Sequence, residues 1–389
     1  MLNFFGFSET PISETSKYHA GKEYESRLLA SGRANKSDDA SMAVYDVDVN
    51  MGEKCTKEWI HTVEVSKKSN PKSIPVVILH GYGNGIGYLF KNLLPLASLL
   101  PDRKIFGVDM LGFGLSSRPS WDCVPEAWFV DSLESWRSSQ KIDKMVLAGH
   151  SMGGYLSVAY AERVERLVLL SPVGVPYVDE EKSKEKMDKA PFRFRVLIKT
   201  VRFFWGLGAT PMSVLRSLPS GRGKKMVDGY VYNRLRGLEE EHKEALSGYF
   251  HSINTLPGSG EYCLHSLLQV GAYARVPLVD RIPALKVKAV HFLYGQHDWM
   301  DLEGGLQVQE DMERSRGGDG GCDVRVVKGA GHLLMLENAQ ETNRIMAEAV
   351  EGKGRKDGSW RHHSQFDKEG WERRPVPVEA GKKVGETRV

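Results

Sequence analysis

The chain has 389 residues, of which 41% are hydrophobic and 26% charged, and its formal net charge is +3. That is the composition of a globular protein with enough apolar side chain for one large core plus an insertion. The charge is too evenly balanced for a nucleic-acid partner, which would call for a basic domain or stripe, and the whole excess lies in residues 351–389, where ten Lys or Arg face seven Asp or Glu.

In chain order, residues 1–10 contain Leu2, Phe4, Phe5 and Phe7 but neither a basic leader nor an apolar stretch long enough for a signal peptide. No run approaches the ~18 apolar residues of a membrane span, so membrane contact is expected to be peripheral. Residues 1–55 read as an N-terminal lead-in without periodicity. They pass into an alternation that sets Trp59, His61, Val63 and Val65 on one strand face. Continuous apolar runs at 76–79, 105–108, 145–148 and 167–170 then fit strands buried on both faces, and helix-length segments at 88–100, 125–140 and 152–162 alternate with them. Strand runs return at 289–294 and 324–327, around a segment that includes 306–314.

This alternation predicts an α/β fold with a mostly parallel central sheet and flanking helices. The core comes in two halves, 56–176 and 288–350. Between them, over 177–287, strand pattern gives way to helical amphipathicity, which predicts an inserted helical cap. Residues 351–389, rich in Gly, Lys and Arg and poor in aliphatics, read as a disordered tail. The four cysteines, Cys55, Cys123, Cys263 and Cys322, are scattered with no CxxC pair and read as reduced intracellular thiols. No metal site or organic cofactor is implied.

Gly149-His150-Ser151-Met152-Gly153 fits G-x-S-x-G directly after one strand run and before a helix-compatible segment. A nucleophile on such a turn needs a strained backbone and small neighbours two positions either side, which Gly149 and Gly153 supply. The following helix turns its free N–H groups toward a developing oxyanion, with Met152 N–H as one donor. His80-Gly81-Tyr82-Gly83 follows the first clear strand and is expected to give the second donor, Tyr82 N–H. A serine hydroxyl also needs a base, and the base needs a carboxylate. Gly331-His332, just after the last strand run, makes His332 the candidate base. Asp298, in Gly295-Gln296-His297-Asp298 after the strand run at 289–294, is the candidate acid, with Asp301 as fallback. Asp109, after the second strand run, is read as structural.

Within the cap, Phe194, Leu197, Ile198, Val201 and Phe204 recur at helical spacing, with Arg195, Lys199 and Arg202 on another face. Such a basic amphipathic helix suits an anionic lipid interface, or equally a cap helix with solvated cations outside. Arg216, Arg222, Lys224 and Lys225 follow as candidates for a phosphate.

These residues also carry a resemblance. His80-Gly81-Tyr82-Gly83, the run from Asp109 through Leu111-Gly112-Phe113-Gly114-Leu115-Ser116 to Arg118, the Ser151 motif and Ser171-Pro172-Val173-Gly174 resemble α/β-hydrolases generally. Gly258-Ser259-Gly260-Glu261-Tyr262, Gly271-Ala272-Tyr273-Ala274-Arg275 and Tyr294 to Asp301 resemble one lipid-acting branch. That branch includes the N-acyl-phospholipid lysophospholipase, the adipose lipase coactivator, the fungal cardiolipin deacylase and the lysophosphatidate acyltransferase. The resemblance covers about residues 55–350. It implies the α/β-hydrolase fold, a triad of Ser151, Asp298 and His332, and a phospholipid or lysophospholipid substrate; Arg275 becomes a headgroup candidate beside Arg222. Two departures stand out. Members credited with acyl transfer carry Asp five positions after the His, where this chain has Glu337, and the connection 160–166 is a few residues shorter than usual.

The expected function is hydrolysis of phospholipid or lysophospholipid acyl esters through an acyl-serine. The alternatives are an acyltransferase that takes acyl-CoA as co-substrate on lysophosphatidate, and a non-catalytic lipase coactivator or lipid-surface scaffold. A generic carboxylesterase or epoxide hydrolase is a further reading, although epoxide hydrolysis on this fold uses Asp where Ser151 stands. The expected location is intracellular and cytoplasmic, with peripheral association to a membrane or lipid-droplet surface, mitochondrial membranes included.

Overall fold

The computed structural model describes residues 13–32, 40–51, 58–120, 125–189, 191–206, 208–317 and 321–353. The N-terminal aromatics, Cys55, Cys123 and all but the first residues of the expected tail lie outside the described residues. The strands are β1 (Ser41–Val49), β2 (Glu58–Ser66), β3 (Val76–Leu79), β4 (Ile105–Val108), β5 (Met145–His150), β6 (Val164–Leu170), β7 (Ala289–Gly295) and β8 (Cys322–Val327). Among the described residues they form one eight-stranded sheet in the order β1-β2-β4-β3-β5-β6-β7-β8. β2 runs antiparallel to both β1 and β4, and from β4 onward every neighbouring pair is parallel. This is the α/β-hydrolase architecture.

The unbroken apolar runs have a simple cause. Successive side chains leave a strand on opposite faces, and here both faces are covered. Val76, Ile78, Val146, Ala148, Val168 and Leu170 join one apolar cluster, while Val77, Leu79, Met145, Leu147, Leu167 and Leu169 join another on the opposite face. All twelve are at most 2% exposed. Each fully buried Val or Leu contributes roughly 1.5–3 kcal/mol, so a polar residue in any of these registers would be costly. β2 differs from its expected one-sided pattern. Ile60 and Thr62 are buried along with His61, Val63 and Val65, while Trp59 stays half-buried, because both faces of the strand are covered, Ile60 within one apolar cluster and Val63 and Val65 within the other.

The stretch read as an unpatterned lead-in contains β1 and a helix, Glu14–Ser31, whose N-cap Ser13 side chain accepts from Ser16 N–H. Its apolar stripe was hard to read because it buries only Gly21, Glu25, Leu28 and Leu29. Between β6 and β7 the long elements are helices: Glu180–Lys189, Phe192–Gly206, Pro211–Ser217, Ser220–Arg234 and Glu240–Asn254. The third begins with a capping box in which Thr210 and Ser213 side chains each accept the other's N–H at 2.9 Å. Helix Glu240–Asn254 packs on helix Glu14–Ser31 and reaches the carboxyl ends of the strands. In helix Phe192–Gly206, Phe192, Val196 and Phe203 are exposed and Arg195 and Ile198 half-buried, while the side chains of Phe194, Leu197, Lys199, Val201, Arg202 and Phe204 lie outside the described residues.

Strand register sets the site. Leu79 pairs with Gly149, Leu170 with Leu293 and Gly295 with Val327, so the loops after β3, β5, β6, β7 and β8 emerge along one edge of the sheet.

Candidate active site

β5 ends at His150, and helix Met152–Ala159 begins immediately after Ser151, which takes φ 55° and ψ −114°. A non-glycine residue rarely holds such a backbone, and here hydrogen bonds fix it. Ser151 N–H donates to Leu170 O at 2.9 Å, while Ser151 O accepts from Gly154, Tyr155 and Val173 N–H at 3.0–3.3 Å. The turn closes only because its flanks lack side chains. A Cβ on Gly149 would sit 2.3 Å from Gly153 O, and one on Gly153 would sit 2.5 Å from His80 O. The helix presents its N-terminal end at Ser151, where the leading N–H groups have no partner within the helix.

His332 follows β8 and Asp298 follows β7. His332 Nε2 lies 3.1 Å from Ser151 Oγ, and His332 Nδ1 lies 3.0 Å from Asp298 Oδ1. Asp298 Oδ1 also accepts Met300 N–H at 3.0 Å, and its other oxygen accepts the Ser171 hydroxyl and Gly295 N–H. Burial opposes ionisation of this carboxyl, but the His332 ring, the Ser171 hydroxyl and Met300 N–H outweigh it and hold its pKa below the ordinary value. Nδ1 therefore carries the proton toward Asp298, and Nε2 is left to accept from Ser151. Asp301 points elsewhere: its Oδ1 accepts Glu303 N–H at 3.0 Å at the start of helix Glu303–Arg316.

Two neutral histidines frame this arrangement. Burial, with the nearby His332 ring, lowers the His150 pKa to about 3, and its Nε2–H donates to His332 O at 2.8 Å. Burial likewise lowers His80 to about 4. His80 Nε2 accepts Met110 N–H at 3.1 Å, so Nδ1 is the protonated nitrogen and donates to Gly81 O at 2.8 Å. That bond shapes the loop bearing Tyr82, the expected second oxyanion donor. The loop lies against the elbow, since a Cβ on Gly81 would come within 3.1 Å of Ser151 Cβ. Asn254 of the inserted helix donates to Gly83 O at 2.8 Å and ties the insertion to the same loop. Asp109 accepts Ile86 N–H at 2.6 Å and Leu115 N–H at 2.7 Å, which joins the loops after β3 and β4.

The cationic candidates are dispersed. Arg216 is held by the buried Glu261 carboxylate and lies 3.3 Å from Tyr262 OH, and Lys224 is held by Asp228. Arg275 is exposed and donates through Nε to His265 O at 2.9 Å, and Arg222 is exposed on helix Ser220–Arg234. Three neighbours of His332 and Asp298 escaped the sequence reading. Ser171 was quoted only as part of a motif, and its φ of 46° just beyond β6 is visible only in the fold. His150 and Trp299 were passed over within their motifs, and the Trp299 ring lies 5.0 Å from the His332 ring.

Comparison with known proteins identifies the family. The family model described as alpha/beta hydrolase family matches residues 76–345. A 1-acylglycerol-3-phosphate O-acyltransferase of Arabidopsis thaliana is 33% identical over 295 residues, covering 72% of this chain and 66% of that protein. The human (lyso)-N-acylphosphatidylethanolamine lipase is 31% identical over 299 residues, 74% of this chain and 82% of the relative. Among solved structures, a membrane phospholipase A superposes with a TM-score of 0.58 at 18% identity, covering 87% of this chain and 92% of its own. The chain belongs to the α/β-hydrolase family, in the branch of these lipase- and acyltransferase-named relatives. At that level it is an enzyme of lipid metabolism, spanning about two thirds of the length of the plant relatives it matches. No described helix is long and apolar enough to cross a membrane.

Proposed function

We propose that the protein is a serine hydrolase that cleaves acyl esters of phospholipids or lysophospholipids through an acyl-serine. The observation that carries this is the His332 ring set between Ser151 Oγ and the ionised Asp298 carboxylate at 3.1 and 3.0 Å. His332 Nε2 takes the hydroxyl proton as Ser151 Oγ attacks the ester carbonyl, and Asp298 stabilises the imidazolium that forms. Met152 and Tyr82 N–H groups hold the oxyanion, each worth about 10²–10³ in rate if well aimed. The tetrahedral intermediate collapses, the alcohol leaves with the proton from His332, and a water activated by the same ring frees the fatty acid and restores Ser151. Arg222 and Arg275 stay candidates for the headgroup. Exposed Phe192, Val196 and Phe203, which fall within one face of their helix, support peripheral attachment to a membrane or lipid-droplet surface.

A second reading has its own support: the plant relatives are named acyltransferases. A lysophosphatidate hydroxyl would then replace water, and acyl-CoA would supply the acyl group. The test is product analysis with purified wild-type and Ser151→Ala protein on vesicles of mixed phospholipids and lysophosphatidate, with and without acyl-CoA. Wild type is expected to release free fatty acid and Ser151→Ala to fall by about 10⁶-fold, to background. Phosphatidate formed only with acyl-CoA would move the assignment to the transferase. No product above background from either protein, with no fluorophosphonate labelling of Ser151, would leave a scaffold.

A further inference from the structure

Beside the loop that carries His332, a cavity of about 360 Å³ opens between the inserted helices and the carboxyl ends of β7 and β8. Arg234 and Arg236 come to it from the end of helix Ser220–Arg234 and the loop beyond, and His297, Gly329 and Gly331 come from the loops bearing Asp298 and His332. Among the described residues neither arginine is paired with a carboxylate, whereas Arg216 and Lys224 of the same insertion are engaged by Glu261 and Asp228. Both arginines line this space, with Arg236 also donating through Nε to Asn233 O at 3.2 Å, and Glu337, which accepts Gly331 N–H, is the single anion on its wall. A guanidinium fork matches phosphate oxygens, and such a cavity is large enough for a phosphate with part of its ester.

Its position gives the cavity a role. Arg234 Nη2 lies 3.4 Å from where a Cβ on Gly331 would stand, and Gly331 is the residue before His332. We infer that Arg234 and Arg236, with His297, form a phosphate site that holds the headgroup of the lipid while its ester reaches Ser151. The inference rests on the lipid-hydrolase reading and adds to it the anionic headgroup class and the residues that select it.

The test measures binding without turnover. Full-length Ser151→Ala protein is titrated with a short-chain lysophosphatidate, with the monoacylglycerol of the same chain and with inorganic phosphate, by calorimetry. Lysophosphatidate is expected to bind at least tenfold more tightly than monoacylglycerol, and Arg234→Gln with Arg236→Gln to erase that advantage. Arg236→Gln alone is expected to reduce it, and Arg314→Gln, a charge removed from an exposed helix elsewhere, to leave it intact. An advantage that survives in the double variant overturns the site. If inorganic phosphate binds as tightly as the lipid and loses affinity in the double variant, the phosphate chemistry holds and its source is the free anion. If wild type cleaves no lipid ester but the arginine-dependent preference persists, the hydrolase reading falls and the phosphate site stands.

Discussion

His61 lies in β2 and His332 in the loop after β8, and both sit against carboxylates, yet one is poised to move protons and the other is not. His332 has a carboxylate at Nδ1 alone, and its Nε2 faces a serine hydroxyl in a side chain that is 12% exposed. His61, in β2, has Asp46 at 2.6 Å from Nδ1 and Glu25 at 2.8 Å from Nε2, and its side chain is 1% exposed. Burial works against its charge, but Glu25, Asp46 and the more distant Asp109 outweigh that and raise its pKa to about 10. Both nitrogens donate, and no lone pair is left to accept a proton. The number of anions around the ring, more than the presence of an Asp–His pair, separates a candidate base from a structural cation.

The largest expected effect breaks the first cluster. Asp298→Asn keeps the shape but allows an amide N–H to face Nδ1, which favours the tautomer whose Nε2 cannot accept from Ser151. The expected loss in kcat is on the order of 10⁴, read on a soluble ester, with the unfolding midpoint little changed. A loss of less than tenfold would mean that the Asp298 contact is not the one that matters.

The next effect concerns stability. His61→Gln leaves Glu25, Asp46 and Asp109 without the cation they share, with Lys22 reaching only Asp46 and Tyr249 OH only Glu25. Breaking a buried ion pair in this way costs about 3–5 kcal/mol, measurable by urea unfolding at pH 7. The pH dependence has a defined sign. A His whose folded pKa is raised contributes stability that is fully present below its unfolded value of about 6.5 and is lost as pH rises through about 10. Wild-type stability is therefore expected to fall between pH 7 and 10, by on the order of 1 kcal/mol per unit, while the variant's curve stays flatter and the two converge. Parallel curves would show that His61 is not the buried cation. Asp298 has the opposite sign: its contribution is present above the ordinary carboxylate range and lost as pH falls through its lowered pKa.

The same contrast explains what could be read from the sequence. The central strands were legible because burial on both faces leaves an unbroken apolar run, and the elbow because only glycine fits at Gly149 and Gly153. Ser151 and His332 could be singled out by the strand ends they follow. The His61 cluster was not legible, since Glu25 lies in a helix with a narrow apolar stripe and meets His61 only after β1, β2 and that helix pack together. The cavity at Arg234 and Arg236 was hidden for the same reason: its walls come from three separate stretches of chain, none with a motif of its own. The cluster of cations after the amphipathic segment pointed instead to Arg222, and the family resemblance to Arg275, both of which are exposed outside this cavity's lining.

The smallest expected effect sharpens the choice between two acids that sequence spacing left open. Asp298 and Asp301 both follow β7 within a few residues, and both are acceptors for backbone N–H groups. Asp298 accepts from Met300 and Gly295 while facing His332, and Asp301 accepts from Glu303 where the next helix starts. A carboxylate spent on a helix start contributes about 0.5–1 kcal/mol to folding and nothing to the protonation of a distant ring. Asp301→Ala is thus expected to keep kcat/KM within about twofold of wild type and to lower the unfolding free energy by roughly that amount, read by kinetics and urea unfolding on one preparation. A large fall in kcat here, paired with a mild one in Asp298→Asn, would transfer the acid role to Asp301 and require the loop after β7 to rearrange when substrate binds.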